Sequence, residues 1–113
     1  MSVFHYDKDD AGIVTVTMDM TGPVNAMNAE YQTAMTETVE RLEAETDLRG
    51  VVFASAKKVF FAGGDLNDLV KVQPAEVEQF FQGLQATKAV LRRIEKLPVP
   101  VAAAINGAAL GGG

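Results

Sequence analysis

Two adjacent glycines, Gly63-Gly64, stand between an apolar run and a polar segment of helical character. Before them, Val51-Val52-Phe53-Ala54-Ser55 reads as a buried strand; after them, Asn67-Asp68-Leu69-Val70 reads as a helical turn. The stretch Phe60-Phe61-Ala62-Gly63-Gly64-Asp65-Leu66 therefore has to bend tightly. Glycine permits the bend because it carries no Cβ penalty at positive φ. Peptide N–H groups in such a turn can point one way, and a helix start leaves its own N–H groups free. Two readings follow. The turn is a main-chain pocket for developing negative charge, or it is a loop that only changes direction. Glycine pairs are common in turns, so this pair alone does not separate the two.

The chain has 113 residues, room for about one small domain. At 48% hydrophobic and 22% charged, its composition is globular rather than disordered. The net charge of −5 argues against nucleic acid as a partner, which needs clustered Lys and Arg. An anionic small ligand needs only a local positive potential and stays open. The sequence contains no cysteine, which rules out disulfide scaffolds, Cys-based zinc sites and thiol nucleophiles. Met1 to Lys8 has no apolar signal region, and no run of about 18 apolar residues is present to span a membrane. A cytoplasmic protein, or one of an organelle matrix, is expected. The last residues, Gly111-Gly112-Gly113, follow directly on an apolar run, and the chain is expected to be a piece of a longer protein.

Hydropathy periodicity lays out an α/β order. Val3 to Tyr6 reads as a short first strand and Asp9-Asp10-Ala11-Gly12 as a turn. Ile13 to Met18 alternates, with Val14, Val16 and Met18 on one face, and predicts a half-buried strand paired with the first. Thr21-Gly22-Pro23 breaks it. Met27, Tyr31, Met35, Val39 and Leu42 then recur near a 3.6 period, an amphipathic helix with Asn25 or Asn28 as N-cap. Its Met and Tyr stripe is read as core, and Asp47 to Gly50 as its end. Val51 to Ser55 is apolar enough for a strand covered on both faces. Pro74 suits a helix N1 position. Val77, Phe80, Phe81, Leu84, Leu91, Ile94 and Leu97 predict a long second helix, with Arg92, Arg93 and Lys96 near its C-terminus and Pro98 and Pro100 as its stop. Val99 to Ile105 reads as a further strand, Asn106-Gly107 as a turn, and Ala108 to Gly113 as the first turn of a helix. Strand–helix–strand repetition favours an α/β domain with right-handed crossovers.

The second glycine turn sharpens the first. If the strands before Ala62-Gly63-Gly64 and Gly111-Gly112-Gly113 are parallel neighbours, both turns lie at one edge of the sheet, where ligands of open α/β sheets gather. Converging N–H groups from such turns form an oxyanion hole, each donor worth roughly 3–4 kcal/mol in a transition state. Nucleotide readings are weak. Gly107 and Gly112 have P-loop spacing, but Gly113 stands where Lys is required, and G-x-G-x-x-G is absent. A general acid or base is hard to find. His5, the only histidine, lies in the first strand and fits a surface or packing role. Asp65 is available for chemistry, but an Asp in that place more often caps a helix. Asp9-Asp10 is turn chemistry, not a metal site, and no Ser-His-Asp set can be assembled.

Three segments carry a family resemblance. Phe60 to Leu66 resembles the F-x-A-G-x-D-[LI] motif of the crotonase superfamily, the enoyl-CoA hydratase/isomerase family. Pro23-Val24-Asn25-Ala26-Met27-Asn28 is similar to its P-x-x-N-A-[LM]-[NS] segment. Lys96 to Gly113 resembles its K-x-P-x-P-V-x-A-x-x-x-G-x-x-x-G-G-G block. The motifs occur in family order across nearly the whole chain. The match looks closest to the hydratase part of multifunctional fatty-acid β-oxidation α-subunits, a subgroup the motifs do not single out.

The resemblance implies an α/β fold, a spiral of ββα units. Residues 1–113 would be the N-terminal part of a single crotonase-like domain, truncated before the C-terminal helices. It implies an acyl-coenzyme A thioester as ligand, with the backbone N–H groups of Gly64 and Gly112 on the thioester oxygen. Val24, Ala26, Ala62, Gly63, Asp65, Leu66 and Gly111 would line the coenzyme A site. No metal or separate cofactor is implied, since coenzyme A belongs to the substrate. Trimers, or hexamers made of two trimers, are the implied assembly. The two glutamates that move the proton and water in hydratases fall after the Gly triplet and are not in these 113 residues. Hydration of a trans-2-enoyl-CoA is the expected activity. Double-bond isomerisation, another crotonase reaction, or an acyl-CoA-binding module without turnover are the alternatives. A serine-protease-type hydrolase would need a serine near the second turn and a histidine, and neither is there. The 113 residues alone are expected to be poorly soluble and without appreciable hydratase turnover.

Overall fold

Alternation in Ile13–Met18 decides where the core lies. Val14, Val16 and Met18 are buried, while Ile13, Thr15 and Thr17 stay half-buried. The computed structural model describes residues 3–64 and 70–113. In chain order it contains β1 (Phe4–Lys8), β2 (Ile13–Met18), α1 (Ala29–Ala44), β3 (Gly50–Ser55), a 3₁₀ turn (Pro74–Glu76), α2 (Val77–Glu95) and β4 (Val101–Ala103). The sheet order is β1-β2-β3-β4. β1 and β2 are antiparallel, and β3 and β4 add in parallel. This is the expected α/β architecture, with β1-β2-α1 as a strand–strand–helix unit.

Local chemistry explains the boundaries. Asp9 Oδ1 accepts hydrogen bonds from Ala11 N (2.9 Å) and Ile13 N (3.0 Å), which closes the β1–β2 turn. Asn28 caps α1, its Oδ1 accepting from Tyr31 N at 3.0 Å. The predicted stripe is buried at Tyr31, Met35, Val39 and Leu42, joined by Ala34 and Thr38. It shares one core cluster with the buried sheet residues, and Tyr31 meets Phe4 of β1 and Phe61 edge-on at 6.2 and 5.3 Å between ring centroids. α2 is tied to α1 by Thr87 Oγ1 donating to Gln32 Oε1 (2.6 Å) and by a two-armed Arg93–Glu43 ion pair.

Several sequence expectations shift. β1 runs Phe4–Lys8 rather than starting at Val3, because its register follows β2 from Met18 back to Val14. α1 ends at Ala44, and Gly50 belongs to β3. β3 is covered on one face only: Val51 and Phe53 are buried, but Val52 and Ala54 are half-exposed. Pro74 opens the 3₁₀ turn, not the α-helix itself. The α2 stripe is covered only in its C-terminal half, where Thr87 and Val90 are buried and Leu91 and Ile94 half-buried; Val77, Phe81 and Leu84 are exposed. The strand expected over Val99–Ile105 narrows to Val101–Ala103, pairing with Val51–Phe53. Ala108–Gly113 is not helical; it runs extended into a turn at Gly111-Gly112. The helical turn expected at Asn67-Asp68-Leu69 lies outside the described residues, as do Asp65 and Leu66.

Replacing Asn28 with Ala removes the side-chain acceptor at the α1 start. The expected cost is about 1 kcal/mol of unfolding free energy, read as a lowered urea midpoint with an unchanged slope.

Candidate functional site

Parallel pairing of β3 with β4 sends both chains out of the sheet on the same side, and they continue together. Phe60 N and Phe61 N both donate to Ala108 O, at 2.9 and 3.1 Å, and Leu110 N donates to Phe61 O at 3.0 Å. On the other flank, Ala62 N donates to Asn25 O at 2.8 Å and Met27 N to Gly63 O at 2.7 Å. Phe61 bridges Ala109 and Gly64 bridges Met27, both in parallel. Residues 60–64 are thus the middle of a short ladder, with 25–27 on one side and 108–110 on the other.

This ladder brings the two glycine turns into contact. Gly63 has φ +86° and Gly111 φ +55°, the left-handed region that favours glycine. A Cβ on Gly63 would lie 3.2 Å from Leu110 O, and one on Gly111 3.2 Å from Gly63 Cα. Gly113 N closes the second turn by donating to Leu110 O at 2.9 Å. The N–H groups of Gly64 and Gly112 have no acceptor among the described residues, and both glycines are exposed. Two exposed main-chain donors beside touching turns can receive an anionic or strongly polarised oxygen.

Of the residues expected at the site, Ala26, Ala62, Gly63, Gly64, Gly111 and Gly112 all belong to the ladder or the turns it joins. Val24 precedes it, half-buried. Below Gly112 and Gly113 lies an apolar recess of about 170 Å³, walled by Tyr31, Met35, Phe60, Phe61, Leu91 and Ile94. Burial pushes the Tyr31 hydroxyl up to about 12, so it stays protonated at neutral pH. Among the described residues, no cluster of His, Asp and Glu could hold a metal ion.

Two residues matter more than sequence reasoning suggested. Asn25, read as a possible helix cap and as a motif position, is fully buried. Its Oδ1 accepts from Met20 N at 3.1 Å, and its Nδ2 donates to Met18 O at 3.1 Å and Ser55 Oγ at 2.9 Å. Met27, weighed as helix core, lays its thioether against Gly112. The available signal was an amide side chain set between two apolar residues just after Gly22-Pro23, where no helix had yet begun.

At the sheet rim, Asp19 accepts from His5 Nε2 and Lys57 Nζ, each at 2.9 Å. These hydrogen bonds hold its carboxyl below the usual range, and His5 is bound there rather than at either turn. A depressed folded pKa stabilises the fold above the unfolded value, and the effect is lost as pH falls through the folded one. Asp19→Asn is therefore expected to flatten the acid-side decline of the melting temperature and leave its neutral-to-alkaline shape unchanged.

Two glycine substitutions should behave differently. A Cβ at Gly107 would sit 2.5 Å from the main-chain oxygen of Lys58, which cannot move without its loop. Gly107→Ala is expected to cost about 1–3 kcal/mol. A Cβ at Gly112 meets only the mobile tip of Met27, at 2.6 Å, so Gly112→Ala should cost clearly less in the same urea titration.

Comparison with known proteins bears on the family and the fold. The sequence model of the enoyl-CoA hydratase/isomerase family matches residues 8–113. An enoyl-CoA hydratase structure from Bacillus anthracis superposes with a TM-score of 0.85 at 26% identity, over 99% of this chain and 43% of that one. One from Mycobacterium smegmatis gives 0.81 at 28% identity, over 93% of this chain and 40% of that one. An enoyl-CoA hydratase from Bacillus halodurans, at 23% identity and TM-score 0.83, shares the fold over 94% of this chain and 43% of that one. The chain thus spans less than half the length of the structures it matches. Its fold, its motifs and the matched model place it in one group: the chain belongs to the enoyl-CoA hydratase/isomerase family.

Proposed function

We propose that this chain carries the main-chain half of an acyl-CoA site, and that the protein containing it hydrates trans-2-enoyl-CoA thioesters. The observation that carries the reading is the contact between the Gly63-Gly64 and Gly111-Gly112 turns, with the Gly64 and Gly112 amides free of acceptors among the described residues. In this reading both N–H groups donate to the thioester oxygen. As water adds to C3, charge moves onto that oxygen, and the two hydrogen bonds strengthen as the enolate develops. C2 then takes up a proton and the thioester carbonyl is restored. Fixed donors need no reorganisation at that moment, which is why they favour the transition state over the bound substrate.

Val24, Ala26, Ala62, Gly63, Asp65, Leu66 and Gly111 are assigned to the coenzyme A side of the site, with coenzyme A entering as part of the substrate. The acid and base that move the proton and water are assigned to residues other than these 113. For that reason the 113 residues alone are expected to bind a thioester without turning it over. Double-bond isomerisation uses the same oxyanion donors and is the second reading. A cytoplasmic enzyme of fatty-acid β-oxidation, assembled as a trimer or hexamer, fits this role.

The test is substitution at Gly64 in the protein that carries the chain. Gly64→Pro removes the amide hydrogen, whereas Gly64→Ala keeps it. Gly64→Pro is expected to lower kcat for a short trans-2-enoyl-CoA by roughly 10²- to 10³-fold, followed as loss of the conjugated enoyl absorbance, while Gly64→Ala retains most of the rate. A folded Gly64→Pro protein with undiminished kcat overturns the assignment.

A further inference from the structure

We propose that Asn25 is a positioning residue for the oxyanion donor at Gly64, a role that rests on the acyl-CoA reading above. Its amide is fully buried and connects three places at once. Oδ1 accepts from Met20 N at 3.1 Å, just past the end of β2. Nδ2 donates to Met18 O at 3.1 Å, to Ser55 Oγ at 2.9 Å at the end of β3, and at 3.4 Å to Phe60 O, where the glycine stretch begins. The main-chain oxygen of Asn25 accepts from Ala62 N at 2.8 Å. Met20 N can only donate and Met18 O can only accept, so the amide has a single satisfactory orientation.

These bonds run to the strand ends and the glycine stretch, and none serves α1, which is capped by Asn28. Ser55 extends the tether: its Oγ donates to Val59 O at 2.8 Å and accepts from Lys57 N at 3.0 Å. The segment from Val59 to Ala62 is therefore held at three successive points before the chain reaches Gly64. A buried polar group with all its partners fixes one geometry, and an oxyanion donor works only within a narrow range of distance and angle. Loosening the tether should therefore slow the chemical step more than it weakens thioester binding.

Three variants of the protein that carries this chain test the assignment. Asn25→Asp keeps the acceptor for Met20 N but loses the donors, and Ser55→Ala removes one end of the tether. Val39→Ala is the stability control; Val39 is buried on α1 and takes no part in the ladder. Asn25→Asp is expected to lower kcat roughly 10-fold or more with KM changed less than about threefold, and Ser55→Ala to do the same more weakly. Val39→Ala should lower the melting temperature while leaving kcat near wild type. A kcat loss in Asn25→Asp no larger than in Val39→Ala overturns the proposal. If Asn25→Asp does not fold, unchanged kcat in Ser55→Ala overturns it instead. A wild type that turns over no acyl-CoA defeats the functional reading, and amide exchange then decides the positioning: faster exchange at Ala62 and Gly64 in Asn25→Asp or Ser55→Ala supports it, and unchanged exchange overturns it.

Discussion

Main-chain hydrogen bonding between three loop segments is the constraint on which the rest of this structure depends. Residues 25–27, 60–64 and 108–110 are far apart in sequence and belong to no named strand, yet each finds its backbone partners in the next. Backbone groups in such segments must be paired or solvated. Among the described residues, the amides of Gly64 and Gly112 are among those this pairing leaves without an acceptor, and both glycines are exposed. Those donors are thus a remainder of the hydrogen-bonding pattern, and they need no side chain to create them. The sheet beneath serves this arrangement, because parallel β3 and β4 deliver both glycine turns to one edge.

Much of this was legible in the residues. Partial alternation marked Ile13–Met18 and its buried face, and the 3.6 period from Met27 to Leu42 marked α1, although Met27 itself lies before the first helical residue. Those patterns report burial against a single neighbouring layer, which is a local property. The misreadings come where burial depends on distant partners. Val99–Ile105 is apolar throughout, but only Val101–Ala103 lies opposite β3, so pairing set its length rather than hydropathy. The Phe80, Phe81 and Leu84 stripe has the period of a buried helix face and is exposed, because α1 reaches only the later turns of α2.

At the candidate site the split is similar. The glycines were visible because positive φ and close backbone approach leave a mark on composition. Gly63 and Gly111 do adopt positive φ, and each lies where the other turn would meet a Cβ. Asn25 was visible as a motif position but not as a clamp. A cap and a buried tether use the same side chain, and only the fold shows that Met18, Met20, Ser55 and Phe60 surround it. Net negative charge was equally uninformative about a main-chain site, whose positive potential comes from peptide dipoles and not from Lys or Arg.

Assembling a site from three separated segments also has a consequence for the order of events during synthesis. β1, β2 and α1 can close on one another through short and medium-range contacts, and the Asn25 side chain then waits for Ser55 and Phe60. The Gly112 donor is joined last, after β4 has crossed over to β3. Non-local parallel pairing is slow because loop closure precedes its reward. Within these 113 residues the sheet is thus largely formed before its two glycine turns first meet.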